Sequence, residues 1–199
     1  MYLLYLLVWK IIGLLPEKLA YQVANQVSDL IFRRNSRRVQ RLRSNYKRVL
    51  PELSEDDLSK LTKAGMRSYL RYWFDTFRLN KWSKERIIST TEVIRENLLR
   101  DRISAKQGCI IALPHAGNWD HAAAYFCSTG INVTAVVEKL KPEAIFKKFL
   151  EYRKSIGIEP ISHKEKTIPL LTQRLNEGKL VALVADRDMS RNGIEVDFL

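Results

Sequence analysis

Apolar positions change their spacing once along the chain. From Pro16 to Leu79 they recur every three or four residues, the spacing of amphipathic helices, and no strand pattern occurs there. From Ile103 onward, short β-branched runs alternate with amphipathic stretches, as in GCIIALP, INVTAVVE and KLVALVADRD. Strands that alternate with helices predict an α/β fold, with a mainly parallel central sheet flanked by helices. We therefore predict a helical segment at residues 1–85 and an α/β core at residues 86–199.

Local signals delimit the helices of the first part. Pro16 favours a helix that begins there and ends at about Phe32, and a second helix is predicted across residues 36–50. Ser54, which three acidic residues follow, is typical of a helix N-cap with an acidic first turn. The helix that it starts is expected to end near Asn80.

The first fifteen residues, MYLLYLLVWKIIGLL, are apolar apart from Lys10. They are fewer than the roughly 18 residues expected of a spanning helix, and they lack the basic n-region of a signal peptide. They predict a helix that lies on a bilayer or dips into it. A buried core helix is the alternative, because short apolar runs do not distinguish the two.

The chain is strongly basic, since 34 Lys and Arg against 22 Asp and Glu give a net charge of +12. This charge favours polyanionic partners. Between residues 33 and 51 there is no acidic residue, and the eight basic residues there are Arg33, Arg34, Arg37, Arg38, Arg41, Arg43, Lys47 and Arg48. Their helical spacing beside apolar residues favours an anionic membrane surface, with a solvated helix face as the alternative. Nucleic acid is not expected as a partner, because no helix-turn-helix, zinc-ligand or RRM-type motif accompanies the basic residues.

A second arginine group lies in the aromatic segment SYLRYWFDTFRL and just before it. Arg67, Arg71 and Arg78 recur there at intervals of four and seven residues. Most of the aromatic residues around them are expected in the core. Arg71 is a candidate for binding a phosphorylated ligand by bidentate contacts.

The run GCIIALPHAGNWDHAAAYF carries the candidate chemistry. It predicts a buried strand, Cys109–Leu113, that delivers His115 to the carboxyl edge of the sheet, and a helix that begins near Gly117. Asp120 follows His115 by five residues and can accept a hydrogen bond from one imidazole nitrogen. The other nitrogen is then able to take a proton from an attacking hydroxyl. His115 is therefore the predicted general base.

Two alternatives remain for this histidine. A histidine before a helix is often a cap or a hydrogen-bonded core residue. A metal site is the other, with His115, Asp120, His121 and Cys109 as ligands, but their spacing matches no standard zinc set. His121 and His163 are expected to be structural, and the only cysteines, Cys109 and Cys127, are too few for a disulfide framework, which suits a reducing cytosol.

The run LPHAGNWD, preceded by a strand and followed by VTAVVEKLKPEAIFKKFLEYRKSIGIE, resembles the bacterial lipid A biosynthesis acyltransferase family. That family is one of the glycerolipid acyltransferases with an H-x-x-x-x-D motif. The later run ADRDMSRNGIEVDF is more similar to the actinobacterial branch, the phosphatidylinositol mannoside acyltransferases. The resemblance covers most of the chain and joins several separate motifs in order.

The resemblance implies a glycerolipid-acyltransferase-like fold whose helical extension associates with the cytoplasmic face of the plasma membrane as a peripheral element. It implies transfer of a fatty acyl group from acyl-CoA to a mannose hydroxyl of a phosphatidylinositol mannoside or related glycolipid, without a further cofactor or a metal. His115 would be the base, and Asp120 and Glu195 compete to orient it. The candidate substrate-binding residues are Glu138, Arg153, Asn118, Arg71, Asp186 and Arg187. Structural salt bridges are the alternative for several of them.

Members of this family usually continue through more sheet and helix after the run that ends at Leu199. The α/β core is therefore expected to be truncated at its C-terminus. A noncatalytic remnant that binds membranes or polyanions is the main alternative function. A metal-dependent hydrolase is the third.

Overall fold

A computed structural model describes residues 2–138, 140–162 and 167–186 of the chain. The chain divides into two compact units, residues 1–81 and residues 82–199. The first unit is helical, with α1 at Tyr2–Leu14, α2 at Glu17–Arg33, α3 at Arg37–Val49, α4 at Glu55–Thr76 and a 3₁₀ turn at Leu79–Lys81.

The predicted helix starts of this unit are confirmed. Pro16 is the N-cap of α2, and the Ser54 hydroxyl accepts a hydrogen bond from the Asp57 N–H at 3.1 Å at the start of α4. This capping satisfies one of the N–H groups that a helix start leaves without an intrahelical partner. The prediction for the end of α4 is late, because the helix stops at Thr76 and the chain continues into the 3₁₀ turn.

An ion pair joins α2 to α4. Arg67 donates from Nε to Asp29 Oδ1 at 2.7 Å and from Nη2 to Asp29 Oδ2 at 2.5 Å. These bidentate bonds lower the pKa of Asp29 to about 2. Arg67, the first member of the predicted arginine group, thus links two helices within the unit.

Helix α1 has two different faces. Trp9 and Ile12 are buried, and the Trp9 ring packs against Phe77, with 4.8 Å between the ring centroids. The opposite face is exposed and apolar apart from Lys10; its apolar residues are Leu3, Leu4, Leu7, Val8, Ile11 and Leu14. Their spacing of three and four residues places them along one side of the helix. Within the described residues, no helix combines the length and the hydropathy needed to cross a membrane.

The basic residues of α3 fall into two groups. Glu55 of α4 accepts a hydrogen bond from Arg43 at 2.5 Å and pairs with Lys47 at 3.7 Å. The second group is exposed and has no ion pair in the described part of the chain; its members are Arg34, just before α3, and Arg37, Arg38, Arg41 and Arg48. The carboxylate of Glu55 on the neighbouring helix α4 therefore neutralises part of the positive charge of this stretch.

The second unit contains the predicted alternation of strands and helices. Helices α5 at Lys84–Ser89 and α6 at Asn97–Ser104 come first, and their positions were not predicted. The elements that follow are β1 (Cys109–Leu113), α7 (Trp119–Ser128), β2 (Val133–Val137), α8 (Glu143–Ser155), β3 (Glu159–Ser162), α9 (Thr167–Asn176) and β4 (Leu180–Val184).

The four strands form one parallel sheet in the order β1-β4-β2-β3. Strand β4 comes after the other three in the sequence but lies between β1 and β2. Its alternate residues Leu180 and Ala182 pack with α6 and α7, and Val181 and Leu183 pack with α9 on the other face. The predicted α/β fold, with a parallel sheet flanked by helices, is confirmed.

Candidate active site

The candidate site lies at the carboxyl ends of β1 and β4. The register pairs Leu113 with Val184. The Ala185 N–H also donates to the Leu113 carbonyl at 2.9 Å, so the two segments remain paired beyond the ends of the strands. The next side chains then meet, with His115 Nδ1 at 2.6 Å from Asp186 Oδ1. The sheet thus joins two residues that are 71 positions apart in the sequence.

A tight turn presents His115 at this edge. The Ala116 N–H donates to the Pro114 carbonyl at 2.8 Å, which makes a three-residue turn centred on His115. Gly117 follows with φ +62°, in the left-handed region that favours glycine. Asn118 then caps α7, because its side-chain oxygen accepts a hydrogen bond from the His121 N–H at 3.0 Å. The helix begins at Trp119, two residues after the predicted start.

Hydrogen bonds to Asp186 favour its ionised form. The His115 imidazole and the His115 backbone N–H both lower the pKa of the Asp186 carboxyl. A carboxylate at Nδ1 favours the tautomer with the proton on that atom, and the imidazole lone pair then lies on Nε2. The His115 side chain is 30% exposed, so this imidazole lies at the surface of the sheet edge rather than in the core.

The indole of Trp119 borders the same imidazole. The ring centroids of His115 and Trp119 are 5.3 Å apart and the ring planes are nearly perpendicular, at 79°. Aromatic pairs favour this edge-to-face arrangement. His115 is therefore in contact with a carboxylate at one nitrogen and with an aromatic ring beside it.

Asp120 has a different partner. Its side chain is 2% exposed, and Oδ1 accepts a hydrogen bond from Arg153 Nε at 3.1 Å, which ties α7 to α8. Burial raises the pKa of Asp120, and Arg153 opposes this effect. Its second oxygen, Oδ2, has no hydrogen-bond partner among the described residues. The bond to His115 that we predicted for Asp120 is thus made by Asp186, which we had placed among the substrate-binding candidates.

The other candidate residues lie in different places. Glu138 is exposed and directly follows β2, so it lies at the same edge of the sheet as Asp186. Arg153 is engaged with Asp120, and Asn118 is the cap of α7. Arg71 belongs to the helical unit, where its guanidinium lies 4.5 Å from the centre of the Tyr21 ring. Glu195, Arg187 and His163 lie outside the described residues.

The residues of the metal-site alternative also have other partners. Asp120 bonds to Arg153, and His121 Nε2 lies 3.1 Å from the Thr90 hydroxyl and 3.3 Å from the Thr91 hydroxyl. Within residues 2–138, 140–162 and 167–186, no three His, Cys, Asp or Glu side chains are grouped so that they could hold a metal ion. The hydrogen bonds of His121 join α7 to the residues that follow α5.

The sequence contains a signal that points to Asp186. Asp186 comes two residues after the buried strand KLVALV, as His115 comes two residues after its own strand. In a parallel sheet, residues at the carboxyl ends of strands meet at one edge. Trp119 had no such signal, because an aromatic residue at the start of a helix is usually part of the core.

Comparison with known proteins agrees with the resemblance predicted from the sequence. The family model for bacterial lipid A biosynthesis acyltransferases matches residues 1–199. The chain is 34% identical over 193 residues to the phosphatidylinositol mannoside acyltransferase of Mycolicibacterium smegmatis, covering 96% of this chain and 63% of that protein. It is 36% identical over 197 residues to that of Mycobacterium tuberculosis, covering 96% of this chain and 61% of that protein. The chain thus spans less than two thirds of the length of these relatives. It belongs to the bacterial lipid A biosynthesis acyltransferase family.

Proposed function

We propose that this chain is an acyltransferase that moves a fatty acyl group from acyl-CoA to a mannose hydroxyl of a phosphatidylinositol mannoside, with His115 as the general base. The observation that carries the proposal is the hydrogen bond between His115 and Asp186 at the carboxyl edge of the sheet. Support for the acceptor comes from the relatives, which are named phosphatidylinositol mannoside acyltransferases.

The proposed reaction has two proton transfers. His115 Nε2 takes the proton of the acceptor hydroxyl while the hydroxyl oxygen attacks the thioester carbonyl carbon. The tetrahedral intermediate collapses, the carbon–sulfur bond breaks, and the CoA thiolate takes the proton from the imidazolium. Asp186 keeps its negative charge throughout and stabilises the imidazolium. The products are an ester and free CoA thiol, and His115 returns to its neutral form.

Acceptor binding is assigned to the neighbouring strand. Glu138 follows β2, which pairs directly with β4, so its exposed carboxylate lies on the side of Asp186 away from β1. A carboxylate accepts hydrogen bonds from sugar hydroxyls. Glu138 is therefore proposed to hold the mannose ring. From the sequence alone, Arg187 is proposed to bind substrate and Glu195 is proposed to support His115.

The direct test is to incubate the chain with acyl-CoA and a phosphatidylinositol mannoside and to analyse the lipids by mass spectrometry. We expect a mannolipid that has gained one acyl group, with an equal amount of free CoA thiol. Release of fatty acid without acylated mannolipid would favour the hydrolase alternative. Binding of the lipid without any product would favour the noncatalytic alternative.

Asp186→Asn is predicted to lower kcat by about 10²-fold with little change in KM, because an amide can hydrogen-bond the imidazole but cannot stabilise its charge. Initial rates at saturating and limiting acceptor measure the two constants. Asp101→Asn removes an exposed carboxylate on α6 and serves as the control. If Asp186→Asn left kcat unchanged, the charge of this carboxylate would have no part in the action of His115 as a base.

We also propose that the helical unit docks on the cytoplasmic face of the plasma membrane as a peripheral element. Two surfaces support this proposal. The exposed side of α1 carries apolar residues around the single charge of Lys10, including Leu3 at 78% and Leu14 at 68% exposure, and would enter the interface between headgroups and acyl chains. The exposed arginines near the start of α3 would bind anionic headgroups.

Replacing Arg34, Arg37, Arg38 and Arg41 together by glutamine is predicted to weaken binding to anionic vesicles by more than about tenfold, because each cation near such a surface contributes on the order of 1 kcal/mol. Vesicle sedimentation at low and high salt measures the loss, and salt should weaken the unchanged chain similarly. The control replaces Lys84, Arg95, Arg102 and Lys106, which are exposed in the second unit, and changes the net charge equally. Equal losses from both sets would mean that only net charge matters.

A further inference from the structure

The position of Trp119 is fixed by the helix that it begins. It is the first residue of α7, directly after the Asn118 cap, and its side chain is partly buried. From there its indole meets the His115 imidazole nearly at right angles, with 5.3 Å between the ring centroids. The helix start thus holds an aromatic ring against the proposed base.

We propose that Trp119 is a positioning residue that holds the His115 imidazole in the orientation in which Nδ1 faces Asp186. This inference rests on the proposed function, since it assigns Trp119 to the same site. The hydrogen bond to Asp186 fixes one atom of the imidazole, but the torsion that rotates this ring is soft. The indole constrains the ring plane, so the two contacts together fix both the tautomer and the direction of Nε2.

The partial exposure of His115 gives this second contact a role in orienting the ring. With 30% of its side chain exposed, the imidazole is not enclosed by the core, and a ring rotated by half a turn about the Cβ–Cγ bond would place Cδ2 instead of Nδ1 beside the carboxylate. The hydrogen bond that keeps the proton on Nδ1 would then be lost, and the proton would be shared between the two nitrogens. Such a ring directs its lone pair away from the hydroxyl that Nε2 is proposed to deprotonate. An aromatic neighbour at right angles opposes the rotation.

Three substitutions separate this role from simple space filling. Trp119→Phe keeps an aromatic ring, Trp119→Leu keeps apolar bulk without an aromatic face, and Trp119→Ala keeps neither. We expect kcat to fall by about tenfold in the leucine and alanine variants and by less than about threefold in the phenylalanine variant, since an edge-to-face pair contributes on this scale. KM should change little in all three, because the indole is proposed to orient the base and not the substrate.

A measurement without substrate tests the inference independently of turnover. The ¹⁵N chemical shifts of Nδ1 and Nε2 report which tautomer of His115 is present, and His115→Ala identifies its signals among those of the 3 histidines. We expect one tautomer in the unchanged chain and in Trp119→Phe, and a mixture in Trp119→Leu. Unchanged shifts and kcat in a folded Trp119→Leu would overturn the inference. If Trp119→Leu altered the shifts but the unchanged chain transferred no acyl group, the positioning role of Trp119 would stand and the proposed function would be overturned.

Discussion

Replacing His115 by alanine is expected to lower the rate of acyl transfer by about 10²–10⁴-fold, the range that a general base contributes. The fold should persist, because the histidine lies in a turn at the edge of the sheet and its side chain is 30% exposed. We expect the free energy of unfolding to change by less than about 1 kcal/mol, as for most substitutions outside the core. Initial rates and chemical denaturation on the same preparation measure both quantities.

The control for this substitution is a second histidine in the same region. His121→Gln retains a hydrogen-bonding side chain toward Thr90 and Thr91 and does not touch the pair formed with Asp186. It should keep most of the transfer rate. If both substitutions lower the rate equally, the loss reflects the start of α7 and not a base at position 115. Full activity of His115→Ala would exclude the proposed mechanism.

Replacing Asp120 by alanine is expected to have its main effect on stability, with a loss of about 3 kcal/mol or more in the free energy of unfolding. The pair that it forms with Arg153 is largely buried, with side-chain exposures of 2% for the aspartate and 19% for the arginine. Arginine stays protonated, so the substitution leaves a positive charge with little access to water and without its carboxylate. Urea or guanidinium denaturation of the second unit measures the loss.

A matched exposed pair on α8 provides the comparison. Lys147 and Glu143 lie 3.3 Å apart, with side-chain exposures of 69% and 63%. Glu143→Ala should cost less than about 1 kcal/mol, as is usual for surface ion pairs. Replacing Asp120 and Arg153 together should cost less than the sum of the single changes, because no unpaired charge remains. If Asp120→Ala and Glu143→Ala lowered the free energy of unfolding equally, the structural role of the Asp120–Arg153 pair would be contradicted.

These results would mean that His115 takes part in the reaction and that Asp120 stabilises the fold. The histidine of H-x-x-x-x-D is placed at the sheet edge, where a substrate can reach it. The aspartate points into the protein and fastens α7 to α8 through Arg153. Asp120 thereby holds α7, the helix that Asn118 caps and Trp119 begins.

The sequence predicts the fold where the signal is local. Strand Cys109–Leu113 has the predicted bounds, and Ser54 caps α4 as its acidic neighbours indicated. The predicted end of α2 at about Phe32 differs by one residue from the observed end at Arg33. Helices α5 and α6 were missed because they are only 6 and 8 residues long, which leaves little room for a repeating apolar pattern.

The site could be predicted only in part, since its central contact is not local. The sequence identified His115 and a carboxylate five residues later, and the short separation made Asp120 the natural partner. The order of the strands decides otherwise, because β4 lies beside β1 and brings Asp186 to the histidine. Arg43 of the basic stretch is a second example, because its ion-pair partner Glu55 lies on the next helix. Partner choice in both cases depends on tertiary packing.

The position of β4 also has a consequence for synthesis of the protein. A ribosome makes β1, β2 and β3 before the strand that must enter between β1 and β2, so the nascent sheet lacks its central strand until residues 180–184 emerge. The chain closes a loop of about 70 residues when that strand pairs with β1, and such long-range contacts form slowly. Until then His115 has no carboxylate from β4. Formation of the His115–Asp186 pair therefore marks the entry of β4 between β1 and β2 and can be used to time it.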